Sequence, residues 1–298
     1  MTEVTFLRRQ RRAIGLLLVL LIAASSSASA QTHSFVWKAT KGSGVVYLVG
    51  SVHVLSKDYY PLAPALDTAY KDSTLLVEEV DMGEMTSPDA QMQLLSHGML
   101  PAGQRLDQVV TPETRLLVNK AVEDTGVPSV ALQLMKPWMA ALTLDALEWQ
   151  KAGFDPDLGL DKHFYDIAMK DRKPVQGLET LSYQMSIFDD MTLEQQDHLF
   201  SETLKELHTE QAMLNEAARA WKQGDAATLE RITLEDLKSD PLMYQRLLLD
   251  RNRAWLPKIE ALFTRPRPTL VIVGAAHVVG PDGLLQMLKA AGYSIEQQ

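Results

Sequence analysis

The sequence contains no cysteine among its 298 residues. A small secreted scaffold held together by disulfides is therefore excluded, and the fold has to rest on an ordinary hydrophobic core. Hydrophobic residues make up 46% of the chain, which is enough for such a core in one large domain or two small ones.

Basic residues are too few to balance the acidic ones. The 29 lysines and arginines face 38 aspartates and glutamates, so the formal net charge is −9. Proteins that bind nucleic acid carry a positive footprint, and this charge balance argues against such a partner.

The chain has one long apolar run, and it lies near the N-terminus. Four arginines precede an apolar segment at 13–24, and Ala28-Ser29-Ala30 follows as a small-residue cleavage site. This order is typical of a secretory signal peptide, with an uncleaved anchor as the less favoured alternative. We predict cleavage near Ala30, a periplasmic or secreted location, and no stable membrane insertion of residues 31–298. Losing the four arginines and Glu3 changes the net charge from −9 to −12.

Short apolar segments rich in β-branched residues predict buried strands. They lie at 45–50, 73–81 and 269–274. The first is preceded by a predicted hairpin with its turn at 41–44, and a further short strand is expected at 173–177.

Most of the chain between these strands has helical patterning. Helix starts are predicted after Thr111, Thr192 and Asp240, and a last helix ends near Gly292. We therefore predict an α/β (α+β) fold with a mixed central β-sheet flanked by helices. Residues 31–298 form one domain in this prediction, with a large helical insertion at about 85–265.

Two of the predicted strands end in the same short pattern, Gly-x-x-His. Gly50-Ser-Val-His53 follows the first strand, and Gly274-Ala-Ala-His277 follows the last. In open α/β sheets, ligands bind beyond the carboxyl ends of the strands, so we expect both histidines at one crevice. The third strand ends in Glu78-Glu79, which brings a carboxylate to the same edge. Adjacent residues of a strand point to opposite faces, so we expect at most one of these glutamates in the crevice.

Two imidazoles and a carboxylate are a common ligand set for a divalent metal ion. Such an ion lowers the pKa of a bound water and polarises a carbonyl. Without a metal, the same groups can act as a histidine base oriented by glutamate. Both interpretations lead to hydrolysis. The histidine of a single Gly-x-x-His is more often a structural residue, so the prediction depends on the two copies of the motif.

Several segments resemble the TraB/GumN family, the bacterial relatives of the Tiki metalloproteases, and in particular its GumN-type branch. They are GSVH at 50–53, VEEVD at 77–81, LDKHF at 160–164, KPVQGLET at 173–180, SYQMSIFDD at 182–190, DRN at 250–252 and VGAAHVVGPDGLLQMLKAAGY at 273–293. Together they extend over nearly the whole predicted mature chain.

The resemblance implies a mixed α/β core like that of erythromycin esterase and haem-binding ChaN-type proteins, and metal-dependent peptide hydrolysis as in the Tiki branch. The family histidines fall on His53 and His277, and its glutamate falls on Glu79. The family's Glu-Arg-Asn motif is here Asp250-Arg251-Asn252, with an acid shorter by one methylene. We expect Arg251 to hold a substrate carboxylate or an orienting acid; a surface position on a helix is the alternative.

The sequence therefore predicts an exported, metal-dependent hydrolase that cleaves peptide or amide bonds. His53, His277 and Glu79 are the expected metal ligands, Glu79 alternatively being the base, and Arg251 is expected to position the substrate. The expected cofactor is a divalent ion such as Mn, Co or Zn, and the expected partner is a peptide or a small-molecule substrate. The alternatives are a binding protein for a peptide signal or haem, and a metal-free esterase with a histidine base and glutamate.

Overall fold

The computed structural model describes residues 33–207 and 210–298, so the predicted signal peptide lies outside the described residues. Residues His33–Gln298 form one compact unit. No helix within the described ranges is long and apolar enough to cross a membrane.

A mixed sheet of six strands lies at the centre of the fold. The strands are β1 (Val36–Lys41), β2 (Gly44–Ser51), β3 (Leu76–Glu78), β4 (Val175–Gly177), β5 (Thr269–Gly274) and β6 (Ser294–Gln297). Their order is β4-β3-β5-β2-β1-β6. Strands β4, β3, β5 and β2 are parallel to one another, and β1 runs antiparallel to both β2 and β6. The predicted mixed α/β fold is confirmed, whereas β6 was not foreseen.

The two Gly-x-x-His strands are neighbours in this sheet. All six residues of β5 are buried, as expected for an apolar strand covered on both faces. Strand β2 pairs with β5 in parallel, so that Gly50 lies opposite Val273 and Ser51 lies opposite Gly274. The two segments that carry the histidines therefore leave the sheet at the same edge.

Helices make up most of the remaining chain. They are α1 (Pro64–Asp72), α2 (Met82–Met85), α3 (Pro88–Gly98), α4 (Leu106–Val109), α5 (Pro112–Thr125), α6 (Ser129–Leu132), α7 (Pro137–Lys151), α8 (Leu160–Asp171), α9 (Leu181–Asp189), α10 (Leu193–Glu206), α11 (Glu210–Lys222), α12 (Ala226–Ser239), α13 (Pro241–Tyr244), α14 (Asp250–Leu262), α15 (Ala275–Val278) and α16 (Leu284–Ala290). Two 3₁₀ turns (Lys57–Tyr59 and Pro156–Leu158) and a π-helical turn (Gln245–Leu249) complete the list.

The helix starts follow the capping chemistry of the sequence. Thr111 and Thr192 accept hydrogen bonds from backbone N–H groups in the first turns of α5 and α10. Asp240 does the same for α13, which continues through the π-helical turn into α14. These side chains satisfy backbone donors that have no partner within the helix. The three helix starts predicted at these residues are confirmed.

Two large hydrophobic cores and one small cluster, formed by Val80, Ala90, Leu181 and Met185, hold the described helices in place. The larger core lies against the sheet and includes buried aromatic rings such as Phe164 and Trp255. A second core lies among the helices of the insertion and includes Leu132, Leu144 and Phe200. Strand β4 belongs to the insertion but pairs with β3, so the insertion is joined to the sheet as well as packed against it.

Candidate functional site

His53 lies in the loop after β2 and is oriented by a carboxylate from α8. Its Nδ1 is 2.9 Å from Asp161 Oδ2, and the same oxygen accepts a hydrogen bond from Ser51 Oγ. Helix α8 begins against this loop, because Leu160 N donates to Val52 O. Asp161, in the first turn of α8, is therefore held beside the ring. An Nδ1–H that donates to a carboxylate leaves Nε2 with its lone pair in the neutral ring.

His277 lies on the short helix α15 after β5 and is oriented by an amide. Its Nδ1 is 2.7 Å from Asn252 Oδ1, while Asn252 Nδ2 donates to the backbone oxygens of His277 and Asp282. This arrangement fixes the amide, so that Oδ1 accepts and the ring carries its proton on Nδ1. His277 Nε2 is then the unprotonated nitrogen, and it accepts a hydrogen bond from Arg251 Nη1 at 2.9 Å.

Glu78 and Glu79 lie at the end of β3, and both line the same pocket. The expectation that at most one of them faces the crevice is wrong, because β3 ends at Glu78 and Glu79 no longer follows the alternation of a strand. Glu79 Oε1 accepts a hydrogen bond from Gly274 N at 2.6 Å, and Glu79 Oε2 accepts one from Gln184 Nε2 at 3.2 Å. Glu79 is therefore joined to the end of β5 as well as to α9.

Arg251 is buried in a network of acidic groups. Its guanidinium donates to Glu79 and Glu179, to the backbone oxygen of Leu247 and to His277. Both acidic side chains are at most 10% exposed, and Glu179 also accepts a bond from Trp255 Nε1. All three nitrogens of the guanidinium are thus committed to protein groups, which favours the expected role of holding an orienting acid over that of holding a substrate carboxylate.

Asp250 lies outside this network although it precedes Arg251. It is exposed and accepts a hydrogen bond from Gln245 Nε2. The acid at this position therefore takes no part in the buried contacts of Arg251.

The two histidines and Glu79 meet around the backbone of Gly274. Glu79 Oε1 is 4.0 Å from His53 Nε2 and 3.9 Å from His277 Nε2. A Cβ atom on residue 274 would lie 3.0 Å from His53 Nε2 and 3.1 Å from Glu79 Oε1. The absent side chain of Gly274 therefore leaves the space between the polar groups open.

Gly50 has a different reason for being glycine. A Cβ atom there would lie 2.5 Å from two carbons of the Phe35 ring, which is 1% exposed in the main core. The first glycine of the repeat thus permits close packing, whereas the second leaves room beside polar groups.

The charges of the three groups differ because their surroundings differ. The Asp161 carboxylate raises the pKa of His53 to about 9, although 58% of that side chain is exposed and water weakens the effect. Burial lowers the pKa of His277 to about 3, so this ring is neutral at ordinary pH. Burial alone would raise the pKa of Glu79, but the Arg251 guanidinium lowers it to about 2.

These residues have the donor chemistry of a divalent-metal site. Both rings hold Nδ1 in a hydrogen bond to an oxygen, as is usual for histidines that bind a metal through Nε2. The third donor is an ionised carboxylate, and the open space at Gly274 lies between the groups. In the described residues, however, no three His, Cys, Asp or Glu side chains already have metal-binding spacing. Arg251 accounts for part of this, since Nη1 occupies the lone pair of His277 Nε2.

A pocket of about 500 Å³ opens beside these groups. Its walls include His53, Glu79 and Asp161 together with a larger number of apolar side chains. The apolar members are Val54, Val80, Met82, Met85, Leu142, Trp149 and Pro156. A mostly apolar cavity with a few convergent polar groups is the usual form of a small-molecule site.

The structure brings together all four residues that the sequence singles out, namely His53, Glu79, Arg251 and His277. Their chemical roles remain predictions. Sequence reasoning missed Asp161 and Asn252, which orient the two rings. Asn252 follows Arg251 directly, and Asp161 stands in the first turn of a helix, so each had a local signal that reasoning about strand ends did not use.

Comparison with known proteins places the chain in a family. The TraB/PrgY/gumN family model matches residues 35–297. The chain is similar to a protein described as "Uncharacterized protein YbaP" from Escherichia coli (strain K12), with 28% identity over 269 residues that cover 88% of this chain and 96% of the relative. The protein of the same description from Shigella flexneri gives the same values. No solved structure is significantly similar to the chain. Because the family model matches almost the entire described chain, the protein belongs to the TraB/PrgY/gumN family.

Proposed function

We propose that the protein is an exported, metal-dependent hydrolase that cleaves amide bonds in peptides. The observation that carries this proposal is the meeting of two imidazoles and one carboxylate at Gly274, with both Nε2 atoms about 4 Å from the same oxygen of Glu79. Two segments more than 200 residues apart in sequence supply the rings, and the glycine keeps the space between them free.

His53, His277 and Glu79 are the residues that would hold the ion, which is Mn, Co or Zn in this proposal. An ion of this kind supplies polarisation of the amide carbonyl and a bound water of lowered pKa. A carboxylate with a pKa of about 2 is a weak base. The role of third ligand therefore suits Glu79 better than the role of general base.

The remaining polar residues orient these three. Asp161 and Asn252 fix the two rings, and Arg251 with Gln184 fixes the carboxylate of Glu79. Binding of an ion at His277 Nε2 would replace its hydrogen bond from Arg251. The guanidinium would keep its bonds to the two glutamates, so the acid would stay in place during that exchange.

The metal proposal is tested by stoichiometry and by variants. The chain is purified after export, dialysed against chelator and titrated with Mn²⁺, Co²⁺ or Zn²⁺ in a calorimeter, and amide hydrolysis is then measured. We expect one site per chain, and loss of binding and turnover in His53→Ala and His277→Ala. His97→Ala is the matched control, because His97 also bonds an aspartate through Nδ1 but does not line the pocket. If either site variant binds and turns over like the wild type, the proposal fails.

Export is tested separately from catalysis. The predicted signal peptide leads us to expect a mature N-terminus near residue 31, measured by N-terminal sequencing of protein from the periplasm or the medium. A chain that stays in the cytoplasm with residues 1–30 intact contradicts this part of the proposal alone.

A metal-free hydrolase is the second candidate, favoured by one observation. His53 forms with Asp161 the pair of an imidazole and an orienting carboxylate that is used in general-base catalysis. Because Asp161 raises the pKa of His53 to about 9, the activity of such a base would rise with pH up to that value. Full hydrolytic activity after exhaustive dialysis against EDTA would select this candidate over the metal-dependent one.

A further inference from the structure

The pocket beside the candidate site contains a carboxyl group with one unpaired oxygen. Glu78 lines the pocket and is 1% exposed, and in the described part of the chain its Oε1 has no hydrogen-bond partner. Its Oε2 accepts one long hydrogen bond, from Met82 N at 3.4 Å. A buried polar atom left unpaired has lost its water without gaining a hydrogen bond, which costs stability. A donor that arrives with a ligand would remove that cost.

The neighbouring acids are already engaged. Asp161 bonds Ser51 and His53, and Glu79 bonds Arg251 and the backbone of Gly274. Their oxygens are therefore bonded to protein groups, whereas Oε1 of Glu78 is not.

The lysine that lines the pocket is engaged too. Lys162 Nζ donates to Asp166 one turn further along α8. A ligand that brings a positive group would meet the unpaired oxygen of Glu78, while Asp166 and Asp161 offset the charges of Lys162 and of a protonated His53.

The rest of the pocket fits an apolar group. Met82, Met85 and Leu142 form part of its wall, and Met85 and Leu142 keep 41% and 38% of their surface exposed. A volume of about 500 Å³ suits a ligand of one or two amino-acid residues.

We propose that this pocket binds the amino-terminal residue of a peptide, with its α-ammonium group on Glu78 and an apolar side chain against the methionines and Leu142. This inference rests on the proposed hydrolase function and names its substrate class. Glu78 and Glu79 are consecutive, with Cα atoms about 3.8 Å apart. In an amino-terminal residue, one carbon separates the ammonium from the carbonyl, and Glu78, Glu79 and His53 line one pocket, so a single ligand residue in that pocket could present both groups to them.

The reaction is then the removal of one residue. Water adds across the first amide bond, its oxygen going to the acyl carbon and a proton to the leaving amine. The products are a free amino acid and a peptide shorter by one residue. Glu78 is a specificity residue in this scheme, because it contacts the ammonium and not the bond that breaks.

The test compares leucine p-nitroanilide with N-acetyl-leucine p-nitroanilide on the exported, metal-loaded chain. We expect the free amine to have a kcat/KM at least 10-fold higher, and we expect Glu78→Gln to bring the two values within about 3-fold by slowing the free amine alone. Glu84→Gln is the control, since Glu84 accepts a hydrogen bond from Leu181 N outside the pocket lining. Equal cleavage of the two substrates by the wild type overturns the inference whether or not the variant folds.

Binding measurements separate this inference from the proposed function. Leucine amide and N-acetyl-leucine amide are titrated into the wild type and Glu78→Gln by calorimetry. Binding of the free amine that Glu78→Gln abolishes, without turnover of any amide, supports the subsite and refutes the hydrolase. Turnover without preference for a free amine refutes the subsite and leaves the hydrolase. Neither binding nor turnover refutes both.

Discussion

Replacing Gly274 by alanine is expected to impair the candidate site while leaving the fold intact. Gly274 has φ −49° and ψ 138°, a conformation that alanine adopts without strain. A glycine-to-alanine change at such a position stabilises by about 0.4–1 kcal/mol through the unfolded chain. The backbone of the variant is therefore expected to fold as before.

The new methyl group meets two polar atoms. It would lie 3.0 Å from His53 Nε2 and 3.1 Å from Glu79 Oε1, against about 3.5–4.0 Å for a comfortable contact. Glu79 is held by Arg251 and by the backbone of residue 274, whereas the His53 ring is 58% exposed. We therefore expect His53 to move away by about 0.5 Å or more, with the methyl group left between the ring and the carboxylate.

The expected outcome is a loss of site function with little change in stability. A misplacement of about 1 Å costs on the order of 100-fold in catalysis. For a shift of about 0.5–1 Å, we expect kcat/KM and the metal association constant of Gly274→Ala to fall about 10- to 100-fold, and its free energy of unfolding in urea to stay within about 1 kcal/mol of the wild type.

Gly50→Ala is the matched comparison from the first half of the repeat. Its methyl group would overlap the ring of Phe35 in the core, and overpacking of this kind costs about 1–3 kcal/mol. Turnover per folded molecule should be kept. Wild-type metal affinity in Gly274→Ala would refute the inference that the space beside this glycine is the site. If the free energy of unfolding of Gly274→Ala fell by more than about 2 kcal/mol, the claim that the backbone at residue 274 tolerates alanine would be refuted.

Three further outcomes are expected. Arg251→Met leaves buried carboxylates without their cation and should cost about 3–5 kcal/mol of unfolding free energy in urea; a cost below 1 kcal/mol would show that the network is not needed for the fold. Asp161→Asn should weaken metal binding about 10–100-fold by calorimetry, while the exposed Asp157→Asn should not; equal affinities would remove Asp161 from the site. Burial raises the pKa of Asp189, but hydrogen bonds from Lys136 and His97 lower it by more. These bonds therefore stabilise the fold at pH values above the ordinary pKa of aspartate, and this stabilisation is lost as the pH falls through the lowered pKa of Asp189. Asp189→Asn should therefore cost about 1–2 kcal/mol at pH 7 and progressively less as the pH falls through the lowered pKa of Asp189, and a cost independent of pH would contradict the ionic explanation.

Much of the sheet could be predicted because its strands are apolar on consecutive positions. The segment at 269–274 is a strand over the predicted range, and the segment at 45–50 is one residue longer at each end. Strand β6 could not be found in this way. It lies at the sheet edge with alternating exposed and half-buried residues, and its Ser-Ile-Glu-Gln sequence has one apolar residue.

The third predicted strand shows where local pattern stops being sufficient. The range 73–81 shortens to Leu76–Glu78, because Asp81 caps α2 and turns the chain away from the sheet. A capping aspartate three residues after a strand residue is a visible signal, but it competes with the β-branched residues Val77 and Val80 that favour a longer strand. Because β3 ends at Glu78, both Glu78 and Glu79 line the pocket.

The candidate site, like the sheet, could be predicted only in part from local sequence patterns. A repeated Gly-x-x-His after apolar strands was enough to bring two rings to one sheet edge, since parallel neighbours end on the same side. What fixes each ring comes from elsewhere in the chain: a carboxylate from α8 for His53 and an amide from α14 for His277. No spacing rule links residues 108 or 25 positions apart.

The unequal surroundings of the two histidines carry a functional consequence. His277 is buried, neutral and bonded to an amide, whereas His53 is half exposed and bonded to a carboxylate. Two histidines in identical surroundings would be sufficient if the site only had to hold an ion. In the proposed function, the pair would combine a buried nitrogen donor with an exposed ring that lines the pocket, as a site that both retains an ion and admits a substrate requires.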